Sequence, residues 1–164
     1  MNSRLALKLE DNKERRHKEK ILASLPPAWI ELFENVSSIP SRDFLVDVPV
    51  NLNYDLRTQP LLAEKEITYV DYDDLNVANE YLKKSEMLLQ PPVYIWFGEG
   101  PTFIVNKPVE IKLINEVHHL DDFKVYMMES DYSRGCVCAE YLGYLEKERI
   151  TNNKEVVYEV MTFE

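Results

Sequence analysis

Every second residue from Phe44 to Leu56 is apolar, which is the clearest periodic pattern in the chain. Side chains of an extended strand point alternately to its two faces, so this period of two predicts a strand with one face in the core. Pro49 has no N–H to donate to a neighbouring strand, and it therefore predicts a sheet edge or a bulge at that point.

Helical patterns occupy the start and the middle of the chain. Residues 3–22 lack Gly and Pro and are nearly all charged from position 10 to 20, so we expect a long helix that packs little. Its predicted apolar anchors are Leu5, Leu9, Ile21 and Leu22. A short second helix, with proline in its first turn, is expected to bury Trp29, Leu32, Phe33 and Val36. A third helix is predicted from Asp73 or Asp74 to about Leu89, where Pro91 and Pro92 end it.

Further strands are predicted from apolar segments separated by turn residues: 66–72, 93–97, 102–105, 109–114, 123–128, 136–142 and 156–163. Gly98 to Pro101 has the composition of a hairpin turn. Short connections favour antiparallel pairing. The sequence therefore predicts an α+β fold in a single domain, residues 1–164, with a mostly antiparallel sheet of about six strands, N-terminal helices and one mid-chain helix. Within it we distinguish a charged helix, 1–22, from a body, 24–164.

Charge is distributed unevenly along the 164 residues, whose formal net charge is −10. Residues 1–20 carry seven basic and four acidic side chains, +3, so the remainder carries −13. A body this acidic repels phosphate backbones, and we expect no direct binding to nucleic acid. It favours a cationic protein partner, because complementary fields accelerate association.

The compartment is predicted from what the chain lacks. Its longest apolar run, Val93 to Phe97, is far shorter than the ~20 residues of a membrane-spanning helix. Residues 1–20 have no apolar core of a secretion signal. Cys136 and Cys138 lie two apart on a predicted strand and are expected to be reduced thiols. We therefore expect a cytoplasmic protein without contact to a membrane.

No motif in the chain is diagnostic of catalysis. His118 and His119, with nearby acids and Lys124, allow a hydrolase or nuclease, but adjacent side chains point in different directions and do not converge on a metal ion. Gly98 and Gly100 are half of a dinucleotide fingerprint, without its third glycine or its helix. We predict no catalytic residue, no cofactor and no metal, and hence no enzyme.

Acidic and aromatic residues gather in two predicted loops. Three interpretations remain open: solvated loops with helix caps, a hydrolase that uses paired carboxylates, or a partner-binding rim in which tyrosines supply contact area and acids supply charge complementarity. The candidate binding residues are Tyr69, Asp71, Tyr72, Asp73 and Asp74 around the junction of the predicted strand 66–72 with the predicted third helix, and Glu129, Asp131 and Tyr132 in the second loop.

The segment Leu25-Pro-Pro-Ala-Trp-Ile-Glu-Leu-Phe33 resembles the opening of bacterial immunity proteins of the SUKH superfamily. The stretch from Val125-Tyr-Met-Met through Asp131-Tyr-Ser to Gly135-Cys-Val-Cys-Ala-Glu-Tyr-Leu-Gly143 resembles the strand–turn–strand endings of small immunity proteins. Asn35-Val36-Ser37 departs from the SUKH pattern, which has a glycine-rich turn there. The resemblance implies a cytoplasmic antidote that binds one cognate toxin without catalysis or metal.

Three functional hypotheses follow. The favoured one is an immunity protein of the contact-dependent growth inhibition type, which covers the active-site cleft of a cationic toxin, a nuclease, with an acidic surface. The second is a small hydrolase or nuclease that uses His118 or His119. The third is a phage or mobile-element inhibitor that mimics DNA with its carboxylates.

Overall fold

The computed structural model describes residues 3–40, 65–71, 87–117, 125–131, 133–142 and 156–163. Within these ranges the helices are α1 (Ser3–Ser24), α2 (Pro27–Leu32) and one 3-10 helix (Ile111–Glu116). The strands there are β1 (Ser37–Ile39), β2 (Lys65–Asp71), β3 (Leu88–Leu89), β4 (Val93–Trp96), β5 (Thr102–Val105), β6 (Val109–Glu110), β7 (Val125–Glu129), β8 (Gly135–Leu142) and β9 (Val156–Phe163).

Seven of these strands form one sheet in the order β1-β5-β4-β7-β8-β9-β2, and all neighbours run antiparallel. β3 and β6 form a separate antiparallel pair. Strands that are joined by short turns, β4 with β5 and β7 with β8, are also neighbours in the sheet. The predicted α+β fold with an antiparallel sheet is confirmed.

The predicted hairpin of β4 and β5 is also confirmed, and its turn depends on two glycines. Gly98 and Gly100 have φ of 81° and 72°, in the left-handed region that glycine adopts without a steric cost. The indole N–H of Trp96 donates to the Gly100 carbonyl oxygen at 3.2 Å. This bond closes the turn from the inside, because both partners are buried.

One face of the sheet packs on α2 through an aromatic cluster. Trp29 and Phe33 are buried, and their rings lie 5.6 Å apart in an edge-to-face arrangement. Phe97 and Phe103 meet them from β4 and β5 at 4.8 to 6.2 Å between ring centroids. Leu32 and Val36 are partly buried against the same core. The predicted buried side of the second helix is therefore confirmed.

The opposite face of β4 and β7 is buried as well. Trp96 and Tyr126 are register partners, their ring centroids lie 5.2 Å apart, and Tyr126 is 1% exposed. Thr102 and Met128 are also fully buried. Burial on both faces explains why the segment Val93 to Phe97 is a continuous apolar run rather than an alternating one.

The chain enters β1 through Asn35, whose φ is 58°. Asparagine tolerates this left-handed conformation better than most residues. The chain thus turns here without the glycine-rich segment of the SUKH pattern.

The predicted strand 109–114 is wrong beyond its second residue. After β6, the chain forms the 3-10 helix, and Ile111, Ile114 and Val117 are all fully buried. Their spacing of three matches the three residues per turn of a 3-10 helix, which places them on one side. The indole N–H of Trp29 donates to the Leu113 carbonyl at 2.9 Å and ties this turn to α2.

The predicted third helix does not extend to Leu89. Leu88 and Leu89 form β3, in which Leu89 pairs with Val109 of β6 and both are fully buried. Pairing with a distant strand thus overrides the local helical pattern at these two residues. The rest of that helix and the strand predicted from Phe44 to Leu56 lie outside the described residues.

The long charged helix is confirmed as α1, but three of its four predicted anchors are wrong. Ile21 is 2% exposed, whereas Leu5, Leu9 and Leu22 are 52%, 56% and 38% exposed. α1 meets the core only near its C-terminal end, where Ile21 is buried. Every residue from Ser3 to Lys13 is exposed, and this part of the helix includes Leu5 and Leu9.

Candidate functional site

The predicted rim residue Glu129 is a structural part of the β7–β8 turn. Its Oε1 atom accepts from the Gln90 N–H at 2.8 Å and from Arg134 Nη1 at 3.3 Å. Its Oε2 atom lies 3.3 Å from the Ser133 hydroxyl. Only 12% of the side chain is exposed. Most of the hydrogen-bonding capacity of this carboxylate is therefore used within the protein.

Asp131 lies at the exposed tip of the same turn. Its Oδ1 atom accepts from the Ser133 N–H at 3.0 Å and from the Ser133 hydroxyl at 2.7 Å. The backbone N–H, followed by the hydroxyl, lowers the pKa of the Asp131 carboxyl below its usual value. Asp131 thus presents a charge that persists into acidic solution.

The sheet register separates the two predicted loops. Lys65 is level with Phe163 and Gly135, at the end of the sheet where the β7–β8 turn lies, whereas Asp71 is level with Val157 and Tyr141. Six residues along a strand span about 20 Å. Tyr69 and Asp71 therefore do not lie beside Glu129 and Asp131. The other predicted site residues lie outside the described residues: Tyr72, Asp73, Asp74, His118, His119 and Tyr132.

A cleft that the sequence analysis missed lies between α1 and the β4–β5 turn. Its volume is about 320 Å³. From α1 it is lined by Glu10, Lys13, Glu14 and His17, and from the hairpin by Trp96, Gly98, Glu99 and Gly100.

The cleft exists because α1 approaches the hairpin turn closely. A Cβ atom on Gly100 would lie 2.9 Å from the His17 Cβ and 3.4 Å from the Ile21 Cδ1. Only a glycine allows this contact without displacing the helix. The residue after His17, Lys18, donates from its Nζ to the Ser38 hydroxyl of β1 at 2.9 Å. These contacts fix the C-terminal half of α1 against the edge of the sheet.

The lining of the cleft is acidic and aromatic. Glu10 and Glu14 lie four residues apart on one side of α1, and Glu99, whose side chain is 73% exposed, lies on the turn. His17 Nε2 lies 3.6 Å from Glu99 Oε2, a contact that is an ion pair only when His17 is protonated. With His17 neutral, three carboxylates and the single cation Lys13 give the lining a net charge of −2.

Such a lining suits a cation. Carboxylates attract a guanidinium or ammonium group. Trp96, which is 8% exposed, lines the cleft beside them, and its indole N–H is bonded to the Gly100 carbonyl.

A weak sequence signal for this cleft exists. Leu7, Glu10, Glu14, His17 and Ile21 follow one another at spacings of three and four, and therefore lie along one side of α1. On a helix that packs on a core, this stripe is apolar. In α1 the middle of this stripe consists of Glu10, Glu14 and His17, and these residues line the cleft between α1 and the hairpin.

Two features are absent from the described residues. No helix among them is both long and apolar enough to cross a bilayer. No three or more of their His, Cys, Asp and Glu side chains are grouped so as to hold a metal ion.

Fold and cleft define a small α+β protein whose antiparallel sheet carries a charged helix across one edge. The family model of the YokC prophage protein matches residues 1–162, and the chain belongs to that family. No curated protein and no solved structure matches the chain significantly. It is thus a prophage-like protein, and the family does not decide between immunity and other roles.

Proposed function

We propose that this prophage protein is an immunity protein that binds a basic toxin, a nuclease, and neutralises it by covering the toxin's active-site cleft. The observation that carries the proposal is the acidic cleft between α1 and the β4–β5 turn. The uneven charge of the chain supports it, since −13 resides outside residues 1–20. No catalytic step is part of this function.

The cleft is the proposed contact for one basic side chain of the toxin. An arginine that enters it meets Glu10, Glu14 and Glu99 around the Trp96 ring. Nuclease active sites carry such cations to hold phosphate groups. Pairing one of them with these carboxylates both binds the toxin and blocks its substrate.

Expression of the genes that flank this one tests the proposal. Each flanking gene is expressed alone in bacteria, and any gene that arrests growth is then expressed together with this chain. We expect one such product to arrest growth, to be neutralised by this chain, and to form a 1:1 complex in calorimetry. If no flanking product both arrests growth and binds this chain at low salt, the proposal is wrong.

Charge-neutralising variants locate the contact. Replacing Glu10, Glu14 and Glu99 together by Gln is expected to weaken binding at least about tenfold, which corresponds to 1.4 kcal/mol. Glu19→Gln is the matched control, because this exposed acid lies on the same helix outside the cleft. Wild-type affinity of the triple variant would exclude the cleft as the contact.

The same calorimetric measurement of binding tests the candidate residues predicted from the sequence. Asp71→Asn and Asp131→Asn each remove one carboxylate from the two ends of the sheet. If either weakens the complex while the cleft variant does not, the toxin contact lies at that end of the sheet.

A further inference from the structure

Exposed large apolar side chains are concentrated on the two N-terminal helices. Among the described residues, six such side chains are at least 38% exposed, and five of them belong to α1 and α2. These five are Leu5, Leu7, Leu9, Leu22 and Ile30, at 52%, 50%, 56%, 38% and 57%. A concentration of this kind on a charged surface marks an interaction site.

Part of this surface is a groove of about 390 Å³ at the junction of α1 and α2. Its apolar lining is formed by Leu22, Leu25, Ile30 and Phe33, and its acidic lining by Glu31 and Glu34. We call it the α1–α2 groove. The groove therefore fits an apolar side chain that is flanked by basic ones.

The first turns of α1 have this complementary character. Leu5 and Leu9 lie four residues apart on one side of the helix, about 6 Å from one another along its axis. Arg4 and Lys8 precede them at the same spacing. The leucines match the apolar lining of the groove, and the two cations match Glu31 and Glu34.

These residues cannot reach the groove of their own chain. α1 is one continuous helix, and Leu5 lies 17 residues before Leu22, which is about 26 Å along the axis. A second copy of the chain can supply them. If the two α1 helices run antiparallel, each copy's Leu5 and Leu9 reach the other's groove, and the contact closes with two-fold symmetry.

Charges along α1 agree with this register. When Leu5 of one copy is level with Leu22 of the other, Lys8 is level with Glu19, and Asp11 is level with Arg16. Both are opposite-charge pairs. A parallel arrangement in register instead places like charges level with one another, as with Lys8 beside Lys8.

We propose that this protein forms an antiparallel two-fold dimer in which Leu5 and Leu9 of each copy pack into the α1–α2 groove of the other. Successive residues of an α-helix are 100° apart around its axis. Leu5 and Leu9 are therefore about half a turn around the axis from Ile21, on the opposite side of α1. The dimer therefore leaves the cleft beside Trp96 accessible in each copy. It does not depend on the proposed function.

Light scattering of the purified chain tests the dimer. At about 100 μM, where even an interface of modest size is populated, we expect twice the 19.3 kDa mass of one chain. A mass of one chain at that concentration overturns the proposal.

Variants test the interface itself. Leu5→Glu combined with Leu9→Glu, and separately Ile30→Glu, are expected to give monomers that keep the wild-type melting temperature, because these side chains are at least half exposed. Leu7→Glu is the matched control, since Leu7 is equally exposed on another side of the same helix. A dimer that survives both interface variants overturns the proposal.

Mixed crosslinking distinguishes the two orientations. A Leu5→Cys chain is mixed with a Leu22→Cys chain under oxidising conditions. The antiparallel dimer predicts a disulfide between the two different chains. Efficient crosslinking of the Leu5→Cys chain with itself would instead indicate a parallel pair and would contradict the proposal.

Discussion

Two hairpin turns among the described residues contain acidic residues of similar appearance in the sequence, but these acids contribute differently to their turns. In the β4–β5 turn, Gly98 and Gly100 adopt positive φ, Trp96 bonds the Gly100 carbonyl, and the Glu99 side chain is 73% exposed. In the β7–β8 turn, the Glu129 side chain adds bonds from Gln90 and Arg134 to the backbone bond from the Glu129 N–H to the Arg134 carbonyl, and it is 12% exposed. Glu99 is therefore exposed to a partner, whereas Glu129 is largely enclosed by the groups that it bonds in its own turn.

The largest expected effect concerns the glycine that brings α1 to the first turn. Gly100→Ala places a Cβ 2.9 Å from the His17 Cβ at a φ of 72°. Strain and overpacking each cost about 1–3 kcal/mol, so we expect a loss of about 2–4 kcal/mol in the free energy of unfolding. Urea denaturation measures it.

Gly98→Ala is the control for that variant, because Gly98 also has a positive φ. We expect it to cost only the conformational part, about 1–2 kcal/mol. Equal losses in the two variants would mean that the contact between α1 and Gly100 contributes nothing to stability.

A smaller effect is expected from the acid that holds the second turn. Glu129→Ala leaves the Gln90 N–H and the Arg134 guanidinium without this acceptor, and we expect a loss of about 1–3 kcal/mol in urea denaturation. Glu99→Ala, in the first turn, is expected to change stability by less than about 0.5 kcal/mol. Similar losses in both variants would break the contrast between the turns.

The smallest effect is a change in titration at Asp131. Its pKa is lowered from 3.8, first by the Ser133 N–H and then by the Ser133 hydroxyl. Because the folded pKa lies below the unfolded one, these bonds stabilise the fold above pH 3.8 and are lost as the pH falls through the folded pKa.

Carboxyl NMR titration measures the shift directly. We expect an Asp131 midpoint below 3.8, and in Ser133→Ala a midpoint that rises but stays below 3.8, since the larger cause is the backbone N–H. A wild-type midpoint at or above 3.8 would show that Ser133 does not stabilise the ionised carboxylate.

Local patterns predicted the parts of the fold that depend on local sequence. The turn composition from Gly98 to Pro101 gave the hairpin, and the Gly- and Pro-free charged run gave α1. The strand predicted after Val109 is wrong because Val109, Ile111 and Leu113 alternate at the spacing of a strand, while Ile111, Ile114 and Val117 have the spacing of a 3-10 helix, and the second pattern is the one that is buried. The helix predicted to include Leu88 and Leu89 is wrong there, because these residues pair with a strand that lies about 20 residues away in the chain.

The cleft was not predictable in the same way. It depends on the contact of His17 with Gly100, two residues that no sequence period connects. Likewise, Glu129 and Glu99 differ in exposure because Gln90, Ser133 and Arg134 surround only the first, and such surroundings arise from tertiary structure.

The projection of α1 from the body also gives the molecule a polarity. Residues 3–17 carry five basic and three acidic side chains, a net charge of +2, whereas the whole chain carries −10. The proposed basic toxin therefore repels the start of α1 and attracts the acidic remainder of the chain. This difference favours one orientation of the proposed complex during the diffusional approach, before any contact is made.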